Sequence, residues 1–102
     1  EKVAWADAIL VSNHDKNGVP GYIEANTLLE MGLAFHLGKP IYLLNGIPEM
    51  AYKEEILGMT PIVINGNLSL IKKNAASPLE YHLLSYKSDR IYRIATNISD
   101  NL

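Results

Sequence analysis

Glu30 is the residue whose type and setting carry the most chemical promise in this chain. On a helix turning ~100° per residue, Leu33, Ala34 and Leu37 fall within about 60° of it, while His36 and Lys39 lie on the opposite side. A carboxylate set on an apolar stripe is costly unless it is paired, capped or used. Thr27 supplies the plainer account. Thr27 and Glu30 have capping-box spacing, in which a Glu at the third helical position returns a hydrogen bond to the cap residue's amide. The two accounts are compatible, because a helix dipole favours a carboxylate in the first turn and a carboxylate is what a nucleophile requires. His14, upstream in a polar segment, can give a proton to a leaving group, although a histidine in a Gly- and Asn-rich turn is more often only solvated. His36 and His82 read as surface residues, and no pair of histidines has metal-ligand spacing. Neither a metal nor a cofactor is expected.

Such a helix needs a sheet to seat it. Ala8-Ile9-Leu10-Val11 is an unbroken apolar run, the pattern of a strand covered on both faces in a parallel sheet. Residues 12–21 that follow are turn formers, and loops leaving the carboxyl end of a parallel strand are where α/β folds place ligands. The helix is expected from residue 26 or 27 to 37, with Gly38 and Pro40 as its stop signal. Residues 40–44 read as a second strand, giving a strand-helix-strand unit with a right-handed crossover. A short helix over 50–59, a third strand over 61–64 and one or two helical turns over 67–73 follow. Further on, 78–86 reads as helical and 90–95 as extended, while residues 1–7 read as the tail of a helix. Three short strands leave two open edges, so either residues 90–95 complete the sheet or another chain does.

Composition bounds what this single α/β domain can do. With 102 residues, 48% hydrophobic and 20% charged, the chain suits one globular core that buries roughly 60 to 70% of its unfolded surface. Little is left over for a deep private pocket, so a sizeable site calls for a second copy of the chain. The formal charge is -2 and the basic residues are scattered, which argues against duplex nucleic acid as a partner. The lack of cysteine excludes disulfides, thiolate catalysis and Cys-based metal sites. The apolar stretches fall far short of the ~20 residues that span a bilayer. A cytoplasmic protein that does not enter membranes is expected.

Taken together, Asp7-Ala8-Ile9-Leu10-Val11, the polar loop, Asn26-Thr27-Leu28-Leu29-Glu30-Met31-Gly32-Leu33-Ala34 and Gly38-Lys39-Pro40 resemble the nucleoside 2-deoxyribosyltransferase-like superfamily over about residues 5–66. The resemblance implies a flavodoxin-like parallel sheet with helices on both faces. It also implies cleavage or transfer at the N-glycosidic bond of a 2′-deoxynucleoside or its 5′-monophosphate. In that family the Glu matching Glu30 attacks the anomeric carbon, and the glycosyl-enzyme intermediate is resolved by water or a second base, as in retaining glycosidases. By position, Asn13 and Asp15 fall where the family puts a polar or acidic group near base and sugar. Asn26 and Thr27 take its Gly-Thr-like positions, and Glu24 matches a substrate-binding carboxylate. The resemblance implies a homodimer or higher homo-oligomer with shared sites. The family's first strand-loop-helix unit has no counterpart ahead of Glu1, and residues 75–102 have no match.

Two rival expectations stand beside this one. The chain is a non-catalytic nucleotide-binding or assembly module, or a shortened product whose open sheet edge pairs with another chain. Smaller features have modest readings: residues 18–21 match neither a P-loop nor a dinucleotide fingerprint, and Lys39 favours the end of the helix before it. Trp5, Tyr22 and Tyr42 can stack on a base or pack in a core.

Overall fold

Residues 2–73 and 91–95 are described in the computed structural model. In chain order the elements are α1 (Lys2–Trp5), β1 (Ala8–Ser12), α2 (Ala25–His36), β2 (Ile41–Leu43), α3 (Lys53–Gly58), β3 (Ile62–Val63), α4 (Leu70–Lys73) and β4 (Ile91–Ala95). The apolar run at Ala8 becomes a strand with every residue buried, because β1 has a parallel neighbour on each side. The sheet order is β3-β2-β1-β4, and Ile9 lies beside Ile41 on one side and Tyr92 on the other. All three pairings are parallel.

The side chains of the strands alternate between two apolar layers. Ile9, Val11, Ile41, Leu43 and Ile94 meet Val3 of α1, Met31 and Ala34 of α2 and Ile56 of α3 on one face. Ala8, Leu10, Tyr42 and Ile64 form the other face, where Leu70 and Ile71 of α4 pack. From β1 to β3 the chain steps in one direction with its helices on the first face. It then reverses direction to reach β4, with α4 on the second. Reversing direction and face together keeps the crossover hand, which is how a doubly wound sheet is built. The fold is therefore α/β and flavodoxin-like, with helices on both faces. β4 holds the place beside β1, so residues 91–95 complete the sheet from within the chain.

α2 ends as the sequence predicts and begins earlier. Gly38 takes a positive φ of 73°, its N–H bonds the Phe35 carbonyl, and the Lys39 N–H reaches the Ala34 carbonyl, the paired bonds of a Schellman stop. The N-cap is Glu24, which makes no side-chain capping bond. Thr27 is thus the third helical residue and Glu30 the sixth, so the expected capping box does not form. The reason lies in packing: Ile23, Thr27, Met31 and Ala34 are the buried positions, and they pull the helix start ahead of Asn26. Glu30 and Leu33 flank this stripe, while Leu37 is outside the helix and 43% exposed. α3 is shorter than expected. The helix expected over 78–86 lies outside the described residues, and so does His82. Among the described residues no helix is long and apolar enough to cross a membrane.

Candidate functional site

The loop after β1 is built, residue by residue, as a fixed platform. Asn17 and Gly18 both have positive φ, 55° and 76°, and join the backbone pair Lys16 and Val19 in a two-residue hairpin. Asp15 Oδ1 accepts the Gly21 N–H at 3.0 Å, and Lys16 Nζ meets Glu24 Oε1 at 2.6 Å. The Tyr52 hydroxyl donates to the Ile23 carbonyl from the side. Burial, and after it the nearby Tyr22 and Glu24, push the Tyr52 phenol above its usual pKa, which keeps this donor protonated.

Asn13 locks the platform to the loop after β2. It is fully buried, its Nδ2 lies 3.1–3.2 Å from the carbonyls of Gly21, Asn45 and Gly46, and its Oδ1 accepts the Asn45 N–H at 2.9 Å. Asn45 returns the bond, its Nδ2 donating to the Asn13 carbonyl at 2.8 Å. Asn13, which the resemblance places near base and sugar, has both amide hydrogens committed to backbone. Gly21 packs its backbone against the second loop. A Cβ there would stand 2.6 Å from the Gly46 carbonyl oxygen, and φ is +68°.

The remaining expected residues divide by burial. Asp15 and Asn26 are exposed at the carboxyl end of the sheet, Glu24 is partly buried in its ion pair, and Thr27 is 4% exposed inside the helix seam. His14 and His36 are exposed. Gly21 offers no amide to a phosphate, because Asp15 holds it. Lys39 serves another helix than expected: its ammonium donates to the carbonyls of Ala4, at 2.7 Å, and Ala6, closing the end of α1. Tyr42 is buried in the second layer, donating to the Ile71 carbonyl at 2.9 Å.

Glu30 is neither sealed in hydrocarbon nor turned wholly to solvent. It is partly buried, and the Tyr92 hydroxyl of β4 donates to its Oε2 at 3.1 Å. Among the described residues, Oε1 accepts no hydrogen bond from protein. The Lys2 ammonium lies 5.9 Å from the centre of the Tyr92 ring. One carboxylate oxygen is thus oriented by a phenol. Among the described residues no three His, Asp or Glu gather as a metal site.

Sequence reasoning missed Tyr92 and Arg93. Arg93 donates from Nε to Ser12 Oγ at 2.7 Å. Both residues gain their roles only when β4 pairs with β1, and nothing local to residues 91–95 signals that register. No protein-family model matches the chain, and no curated protein or solved structure matches it either, so the site stands on its own geometry.

Proposed function

We propose that this chain acts on the N-glycosidic bond of a 2′-deoxynucleoside or deoxynucleotide, with Glu30 as nucleophile. The observation that carries the reading is the Glu30 carboxylate, half-buried on α2, with Oε2 held by Tyr92 and Oε1 without a protein donor among the described residues. In the proposed reaction a Glu30 oxygen forms a bond to the anomeric carbon as the carbon–nitrogen bond breaks. The departing base takes the bonding pair and a proton from solvent or from the exposed His14. Water or a second base then displaces the carboxylate and regenerates it. Asp15 and Asn26, both exposed beside the same loop and helix end, are the residues left to meet base and sugar. A homodimer would enlarge this shallow site; Leu29, 72% exposed on α2, and Trp5, 51% exposed on α1, are apolar surface in support of one. A cytoplasmic setting accords with the lack of cysteine.

The test is incubation with deoxynucleosides and their monophosphates, with and without a free base, followed by chromatography. Release or exchange of base is expected from the parent chain and none from Glu30→Gln, with the fold retained in both. A parent that releases no base from any substrate ends the proposal.

A second reading has its own support. Asn13, Glu24 and Thr27 are all occupied in holding loops and helix together, which suits a non-catalytic nucleotide-binding or assembly module. Such a module binds nucleotide in titration and leaves its glycosidic bond intact.

A further inference from the structure

Arg93 stands apart from Lys2, Lys16, Lys39 and Lys53 in how its charge is met. Lys16 pairs with Glu24 and Lys53 with Glu49, Lys39 is spent on two carbonyls, and Lys2 lies over the Tyr92 ring. Among the described residues Arg93 meets only a neutral hydroxyl: its Nε donates to Ser12 Oγ at 2.7 Å. Ser12 is fully buried and is the last residue of β1; Arg93 lies on the neighbouring β4 with Leu10 as its register partner, and its side chain reaches along the sheet to Ser12. The guanidinium is therefore pinned near the carboxyl rim between β1 and β4. That is the switch point of the sheet, where the chain's winding reverses and where open α/β folds take their ligands. A guanidinium has five N–H donors, and among the described residues the four on the terminal nitrogens of Arg93 meet no protein acceptor. The residue is exposed, so these donors are open to a ligand.

We propose that Arg93, held by Ser12, binds the phosphate monoester of a phosphorylated small molecule. Anchoring Nε fixes the plane of the fork before the ligand arrives, so less rotamer freedom is lost on binding. The two terminal nitrogens then match two phosphate oxygens in a bidentate pair, and a charge that meets no carboxylate among the described residues is met by a dianion. Neighbouring residues on a strand point to opposite faces, so Arg93 and the Tyr92–Glu30 pair lie on opposite faces of the sheet. The anion site stands without any chemistry at Glu30.

The experiment is titration of the full chain with inorganic phosphate and with ribose 5-phosphate, followed by NMR at constant ionic strength, with acetate as the carboxylate control. Arg93→Gln is expected to weaken phosphate binding at least about 10-fold, and Arg93→Lys, which keeps charge but loses the fork, about 3- to 10-fold. Ser12→Ala is expected to fall between the parent and Arg93→Gln. Should Arg93→Gln not fold, Arg93→Lys decides. Glu30→Gln is expected to bind phosphate as the parent does, so failure of the glycosidic reading leaves this result readable. Unchanged phosphate affinity in folded Arg93 variants overturns the proposal, as does acetate binding as tightly as phosphate with the same dependence on Arg93.

Discussion

At the scale of single residues, Asn13 and Glu30 show how far a sequence discloses what a polar side chain does. Glu30 was legible as a carboxylate near an apolar stripe, because helical periodicity needs only neighbours within one turn or two. Its partner was not, since Tyr92 lies 62 residues away and reaches Oε2 only through the β1–β4 register. Asn13 was placed near base and sugar by the resemblance alone, and its acceptors on the next loop were equally out of view. These partners now set two expectations. Asn13→Ala strands three backbone carbonyls and one N–H in a buried site, and removing such a network costs about 3 kcal/mol or more. Denaturant unfolding reads this directly; a loss below about 1 kcal/mol would mean that the loops do not depend on the clasp. On the reading of Glu30 as nucleophile, Tyr92→Phe lowers kcat about 10- to 100-fold and moves KM less, because it frees the attacking carboxylate without touching substrate. The same substitution in Glu30→Gln should cost nothing more in turnover, and a further loss there would place Tyr92 in another role.

At the scale of elements, the apolar runs at Ala8, Ile41 and Ile62 were readable as strands, and Gly38 as a helix stop, since each is decided by local chemistry. The start of α2 was not, because Glu24 occupies the N-cap without a capping bond and tertiary burial of Ile23 and Thr27 sets the boundary instead. The two glycines of the β1 loop divide in the same way. Both have positive φ, yet a Cβ on Gly18 would meet nothing within 4 Å, whereas one on Gly21 would stand 2.6 Å from the Gly46 oxygen. Gly18→Ala should therefore carry only the left-handed backbone penalty of about 1–2 kcal/mol. Gly21→Ala adds a backbone clash at the contact that joins two loops, and the total should exceed the Gly18 cost by at least about 1 kcal/mol. Thermal unfolding of the pair is the measurement, and equal shifts would show that the loop yields there at little cost.

At the scale of the whole molecule, each apolar layer carries a phenol that responds to pH, and in the second layer it is Tyr42. Tyr42 is buried on β2, and its hydroxyl ties the sheet to α4 through the Ile71 carbonyl. Burial raises its pKa above the ordinary 10.0, because the phenolate would sit in apolar surroundings beside a carbonyl oxygen. The folded chain therefore holds this proton more tightly than the unfolded chain does. That preference contributes stability in full below pH 10 and is lost as pH climbs from there through the raised folded value. Tyr52 acts in the same direction, with burial first and Tyr22 and Glu24 adding to it. Unfolding free energy should thus stay level between about pH 7 and 9 as far as these phenols are concerned, then fall above pH 10. Lysines titrate in the same range, so the comparison that isolates Tyr42 is Tyr42→Phe against the parent chain. At neutral pH the variant should be less stable by about 1 kcal/mol, the worth of the lost hydrogen bond. Above pH 10 the gap should narrow and then reverse, because the variant has no buried phenol to ionise. Parallel stability curves for parent and variant through pH 11 would place the hold of β2 on α4 in the surrounding Leu10, Ile64 and Leu70 contacts, and not in the Tyr42 hydroxyl.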